Sequence, residues 1–178
     1  MSADVAPPPG VPDLAWRVCT SPIEKALLRG FVQAAPGVRA VLNIVTDLRE
    51  VTSNLHGVVV VPQCKVCNHT VDFLVCLGAL SIAVECDGQR WHSRADQSRH
   101  DRAVDRALQR AGYRVYRFTG EDIWKNAAGC AETVLADLLQ WATGVPGTPI
   151  GSGAHPTPVT SPGGHVVKPQ GPSDGRTR

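Results

Sequence analysis

Four stretches of the chain are rich in β-branched and other apolar residues, as is typical of short strands. Three follow one another between residues 57 and 87, and a shorter one lies near residue 115. Pro62 falls inside the first stretch and indicates an edge position or a bulge, because proline cannot donate to a strand ladder. The predicted strands are 57–66 (GVVVVPQCKV), 70–77 (TVDFLVCL), 80–87 (LSIAVECD) and 113–118 (YRVYRF).

Three other stretches carry apolar residues at helical spacing. The first begins at 21–24 (SPIE), where the serine suits an N-cap, the proline the first helical position and the glutamate the third. Pro36-Gly37 ends it. A second helix is predicted over about 96–111, and Thr119 caps a third. The apolar positions are Ile23, Leu27, Leu28 and Phe31 in the first helix, and Ile123, Trp124, Val134, Leu135, Leu138 and Trp141 in the last.

The order helix, three strands, helix, strand, helix predicts an α/β sandwich built on a mixed sheet. Residues 38–56 fit a strand or a helix and are left open. The elements define a domain over 19–143. Residues 144–178, with eight glycines and seven prolines, are expected to form a disordered tail, and residues 1–18 a flexible N-terminus.

Composition changes this picture little. Apolar residues make up 43% of the chain and charged residues 19%, as in globular proteins. A net charge of +2 permits a nucleic-acid partner without requiring one. Neither a bilayer-spanning apolar run nor the basic and apolar regions of a signal peptide are present, so no membrane partner and a cytoplasmic location are expected.

The two central strands are joined by Gly78-Ala79, a two-residue loop that suits a type II′ hairpin turn. This turn sets the register. One face of the hairpin then carries only apolar pairs, and the other places Asp72 opposite Glu85, with Asp87 one step further. The predicted apolar pairs are Leu77–Leu80, Val75–Ile82, Phe73–Val84 and Val71–Cys86; the others are Cys76–Ser81, Leu74–Ala83, Asp72–Glu85 and Thr70–Asp87.

The Asp72–Glu85 pair is the strongest chemical feature of the sequence. Directly opposed Cβ atoms lie about 4.5–5.5 Å apart, and like charges at that distance destabilise a sheet unless they are neutralised. A Mg²⁺ or Mn²⁺ ion would neutralise them, since these ions favour carboxylate oxygens. The alternative is that these carboxylates simply point into solvent at the open end of the hairpin.

Asp72, followed after the hairpin by Glu85-Cys86-Asp87, resembles the PD-(D/E)XK nuclease signature. The longer string VDFLV…IAVECDGQRWH…DRAVDRALQRAGYRVYRFTGEDI is similar to the branch that includes the very-short-patch repair endonuclease and small DUF-type domains. The resemblance covers roughly residues 20–140. It implies a restriction-endonuclease-like α/β/α sandwich with a mixed central sheet.

The resemblance also implies roles for individual residues. Asp72, Glu85 and the Cys86 carbonyl would hold Mg²⁺ or Mn²⁺, which activates a water to attack a phosphodiester. Glu24 lies where such nucleases often carry a further acidic residue, although closing the helix cap is an alternative role. Asp87 occupies the position of the usual lysine, so another group or a second metal must stabilise the transition state.

His92 belongs to a Trp91-His92 pair whose spacing is similar to that of the repair endonuclease. The resemblance makes it a candidate general acid or base. A histidine that caps the loop after the strand is the alternative.

Arginines recur at helical spacing along the second predicted helix and lie on one face of it. This stripe would follow a phosphate backbone, or else form a solvated face on which Asp101 and Asp105 pair locally. Arg117 fits the family pattern and is expected to contact phosphate or support the site. The stripe comprises Arg99, Arg102, Arg106 and Arg110.

Cys64, Cys67 and His69 have the spacing of half a zinc site, but four ligands are needed. A loop between strands is the alternative.

The sequence therefore favours a Mg²⁺- or Mn²⁺-dependent endonuclease acting on DNA, with RNA left open. A nucleic-acid-binding module that has lost catalysis is the rival hypothesis, since the lysine is missing. A homodimer is compatible with a single domain of this size.

Overall fold

The computed structural model describes residues 6–50, 55–88 and 103–144. Several predictions lie outside these residues. They concern His92, Arg99, Arg102, the start of the second predicted helix and the tail beyond Gly144.

A five-stranded mixed sheet forms the centre of the molecule, with the strands in chain order across it. The β1–β2 and β4–β5 pairs are parallel, and the β2–β3 and β3–β4 pairs are antiparallel. The predicted α/β fold on a mixed sheet is confirmed. The strands are β1 Leu42–Ile44, β2 Val58–Val66, β3 His69–Leu77, β4 Leu80–Asp87 and β5 Arg114–Thr119.

Helices cover both faces of the sheet. Three of them pack with one face in a large apolar cluster that includes Phe31, Phe73 and Leu135. The fourth packs with the other face through Val104 and Leu108. None of the described helices is long and apolar enough to cross a membrane. The helices are α1 Asp13–Val18, α2 Pro22–Ala34, α3, of which residues 103–110 are described, and α4 Gly120–Thr143.

Helix α2 lies very close to α4 at Gly30. A Cβ atom at this position would come within 2.7 Å of the Ala127 carbonyl carbon, so only glycine fits. Asn126 has non-helical angles (φ −159°, ψ 74°) and divides α4 into two helical segments next to this contact. The close approach fixes the position of α2, which carries Glu24, against α4.

The N-terminal region differs from the expectation of a flexible segment up to residue 18. Ala15 is fully buried and Trp16 is 4% exposed, and both belong to the main apolar cluster. The side chains of Lys25 and Arg29 lie over the Trp16 ring, with 5.4 Å and 5.6 Å to its centroid. A large aromatic ring supplies enough buried area to order a short helix despite the surrounding prolines.

The segment that the sequence leaves open, 38–56, contains β1 and a short 3₁₀ helix, Leu48–Glu50. Strand β1 pairs only with residues 58–60 of β2. Pro62 therefore lies where, among the described residues, β2 pairs with β3 alone, which is the edge-like position that the proline indicates.

Strands β2 and β3 change faces at Gln63 and Asp72. The register is unbroken from Pro62–Phe73 to Cys64–Val71, so no residue is inserted, but Gln63 has a left-handed φ of 49°. Val71 belongs to the second apolar cluster, with Leu74, and not to that of Phe73. The prediction that Val71 shares the face of Phe73 is wrong, because simple alternation fails at this twist.

Candidate functional site

The predicted hairpin register is confirmed from Leu77–Leu80 to Phe73–Val84. Gly78 has a φ of 58°, as a turn with glycine at its first position requires. Pairing ends at Phe73–Val84, one step before Asp72 and Glu85. The predicted pairs Asp72–Glu85, Val71–Cys86 and Thr70–Asp87 are therefore not part of the ladder, and the Cys86 N–H bonds the Asp72 side chain instead of a β3 carbonyl.

Asp72 is held at both carboxylate oxygens. The backbone N–H of Cys86 donates to Oδ2 at 2.6 Å, and the Gln63 side-chain amide donates to Oδ1 at 3.1 Å. Burial raises the pKa of Asp72, and the Cys86 N–H bond opposes that shift by stabilising the charged form. The carboxylate is therefore fixed in orientation by donors at both oxygens.

Glu85, on the neighbouring strand, is partly buried and close enough to Asp72 for the two charges to interact. Burial raises its pKa to about 8; the negative charge of Asp72 adds to the shift, and Arg117 opposes it. At neutral pH, Glu85 is thus expected to keep its proton in the folded protein unless a cation replaces it.

Glu24 is 6% exposed and completes the N-terminus of α2. Its carboxylate accepts from the Thr20 N–H at 2.8 Å and from the Ser21 hydroxyl at 2.6 Å, and Ser21 accepts from the Glu24 N–H. This resembles the capping role that the sequence offers as one of two, but the backbone donor is Thr20, one residue before the N-cap, and not Ser21. Glu24 also accepts from the Gln63 amide at 2.9 Å, which connects it to Asp72.

Arg117 is the positive group at the site. Its guanidinium lies 2.8 Å from Asp105 of α3 and 3.4 Å from Asp87, and in the β4–β5 register it is opposite Glu85. Asp87, in the position of the usual lysine, therefore pairs with an arginine from the next strand. Arg106 and Arg110 are exposed on α3.

The donors near Asp72 and Glu85 suit a hard divalent cation. Both side chains offer carboxylate oxygens, and the Cys86 carbonyl, which accepts from the Gly88 N–H at 3.0 Å, is an oxygen with two lone pairs. Among the described residues, no three or more His, Cys, Asp or Glu side chains are grouped so as to hold a metal ion. An ion here would therefore depend on two carboxylates, the carbonyl and solvent.

The CxxCxH segment forms a tight turn. Cys67 and Asn68 have φ angles of 50° and 64° and join β2 to β3, as the loop interpretation expects. Cys64 is buried in the second apolar cluster, whereas Cys67 is exposed. The thiols of the two cysteines therefore lie in different environments.

Gln63 is the site residue that the sequence does not single out. It lies opposite Asp72 in the β2–β3 register, between the pairs Pro62–Phe73 and Cys64–Val71. Two positive φ angles at Cys67 and Asn68 make the β2–β3 turn, and Asn is a residue that favours such turns. Counting cross-strand partners outward from this second turn, as for the turn at Gly78, places Gln63 opposite Asp72.

The comparisons with known proteins agree with this geometry. The family REase_MTES_1575 matches residues 43–138, which hold β2 to β5, all but the first residue of β1, and most of α4. No curated protein and no solved structure matches the chain. The match covers more than half of the chain, and the protein therefore belongs to the REase_MTES_1575 family of restriction-endonuclease-like domains.

Proposed function

We propose that this protein is a Mg²⁺- or Mn²⁺-dependent endonuclease that hydrolyses DNA phosphodiester bonds. The observation that carries the proposal is the pair of partly buried acids, Asp72 and Glu85, just beyond the last pair of the β3–β4 ladder. Two acids with raised pKa values beside each other are costly to the fold, and they suit a site that takes up a cation. Membership of a nuclease-like family supports the same conclusion.

Each residue has a part in this proposal. Asp72 and Glu85 bind the ion, with the Cys86 carbonyl as a third oxygen. A bound ion of this kind lowers the pKa of its water and offsets charge on the phosphate. Arg117, held by Asp87 and Asp105, supplies the fixed positive charge that the usual lysine would provide. The finer relation to the very-short-patch repair branch depends on His92, which lies outside the described residues.

A DNA-binding module without cleavage is the second candidate. The ion pairs of Arg117 with Asp87 and Asp105 favour this candidate. A guanidinium that is held by two carboxylates is less available to a DNA phosphate.

The test is cleavage of plasmid and single-stranded DNA in Mg²⁺ or Mn²⁺. Glu85→Gln keeps the shape of the side chain and removes its charge, and Glu132→Gln makes the same change at an exposed position of α4. We expect cleavage by the wild type and by Glu132→Gln, and at least a 100-fold loss for Glu85→Gln, as for other groups that act directly on the transition state. Equal cleavage by Glu85→Gln would refute the proposed site, and binding without cleavage by the wild type would favour the second candidate.

A further inference from the structure

One amide nitrogen of Gln63 connects two carboxylates from different layers of the fold. It lies 2.9 Å from Glu24 Oε2 and 3.1 Å from Asp72 Oδ1. Since both partners only accept hydrogen bonds, the amide must present its N–H groups to them and its oxygen elsewhere. Glu24 is anchored in turn by Thr20 and Ser21, so a continuous set of bonds runs from the start of α2 to Asp72.

The backbone at Gln63 is strained. Its φ of 49° is a left-handed conformation that costs a non-glycine residue free energy. Pro62 and Cys64 on either side are both paired with β3, so the strand is extended before and after this residue. Such a residue persists only where its surroundings require it, and it often marks a functional site.

We propose that Gln63 is a positioning residue that orients the Asp72 carboxylate for a divalent cation. This inference rests on the proposed function, in which Asp72 is a metal ligand. With the Cys86 N–H alone, the Asp72 carboxylate could still rotate while it keeps the hydrogen bond at Oδ2. The Gln63 amide bonds the second oxygen, Oδ1, and so fixes the plane of the carboxylate and the direction of its remaining lone pairs. Bonds of this kind to a ligand side chain commonly contribute 10- to 100-fold to metal affinity.

A structural role for the strained strand must be separated from a role for the amide. Gln63→Gly removes the amide and also the strain, because glycine adopts a positive φ freely. Gln63→Met removes the amide and keeps a side chain of similar length. Gln33→Met, at an exposed position of α2, and Arg39→Gly, at another residue with positive φ (56°), are the matched controls.

The experiment is calorimetric titration of each protein with Mn²⁺, together with thermal unfolding in metal-free buffer. We expect Gln63→Gly to unfold at the wild-type temperature or above, and yet to bind Mn²⁺ 10- to 100-fold more weakly. Gln63→Met should lose a similar factor, and the two controls should bind as the wild type does. If Gln63→Met does not fold, Gln63→Gly decides the question.

Two results would overturn the inference, and they have different consequences for the proposed function. Wild-type affinity in folded Gln63→Gly would limit Gln63 to shaping the strand and leave the proposed function intact. Absence of Mn²⁺ binding by the wild type itself would remove the proposed function and this inference together.

Discussion

Glu85 of β4 and Arg117 of β5 are partners in the parallel register that joins these strands. The same arginine bonds Asp87 and Asp105, so one guanidinium compensates several acids at the candidate site. It only partly offsets the effect of burial on Glu85, whose pKa stays raised to about 8. The acid therefore contributes to stability in a manner that depends on pH.

We expect the metal-free protein to lose stability as pH rises from about 4.5 to about 8. In this range, Glu85 holds its proton in the folded state and has lost it in the unfolded state, so folding takes up a proton that becomes scarcer. The loss should be on the order of 2 kcal/mol once partial solvent exposure is allowed for. Urea unfolding at pH 5 to 9 measures it.

Glu85→Gln should flatten this pH dependence and be at least as stable as the wild type at pH 8 or above. Asp72 keeps a slope of the same sign in the variant, since burial raises its pKa too. Glu132→Gln is the control and should follow the wild type. A wild-type stability that rises over this pH range would contradict the prediction.

Arg117→Gln should lower the free energy of unfolding by about 1–3 kcal/mol at neutral pH, because it leaves Asp87 and Asp105 without their cation. The partial exposure of these groups limits the effect. Arg110→Gln, at an exposed position of α3, should change stability by less than about 0.5 kcal/mol. Equal unfolding midpoints for the two variants would show that the arginine is not compensating these acids.

The hairpin of the site can be predicted from the sequence because its information is local. A two-residue loop beginning with Gly78 fixes the register as far as Phe73–Val84, one step before Asp72 and Glu85. The change of faces at Gln63 breaks the alternation of inward and outward residues along the strand. A prediction that relies on alternation therefore assigns Val71 to the wrong face of the sheet. The link from Glu24 to Asp72 joins residues 48 positions apart and depends on how α2 is packed on the sheet.

The N-terminal helix illustrates a different limit. Prolines and the absence of long apolar runs suggest a flexible segment, yet Trp16 alone buries most of a large ring against α2. The average composition of the segment does not reveal the effect of one large side chain that becomes buried.

Gly30→Ala should lower the free energy of unfolding by about 1–3 kcal/mol, although alanine favours helix more than glycine does. The added methyl meets the backbone of Ala127, which cannot move without shifting α4. Gly37→Ala is the control, since its Cβ would lie 3.3 Å from the Ala34 carbonyl oxygen and has more room. Chemical denaturation of both variants gives the comparison, and an unchanged or higher stability of Gly30→Ala would contradict the close packing of α2 on α4.

The exposed arginines of α3 give the last prediction. If Arg106 and Arg110 contact DNA phosphates, the double Arg→Gln variant should bind duplex DNA more weakly, and the slope of log affinity against log salt should fall by about 2. Fluorescence anisotropy between 50 and 200 mM salt, with Glu85→Gln as the background to prevent cleavage, measures both quantities. The matched control replaces Arg17 and Arg49, which are exposed and paired with nearby acids. An equal slope in the α3 variant and the control would identify the stripe as a solvated helix face.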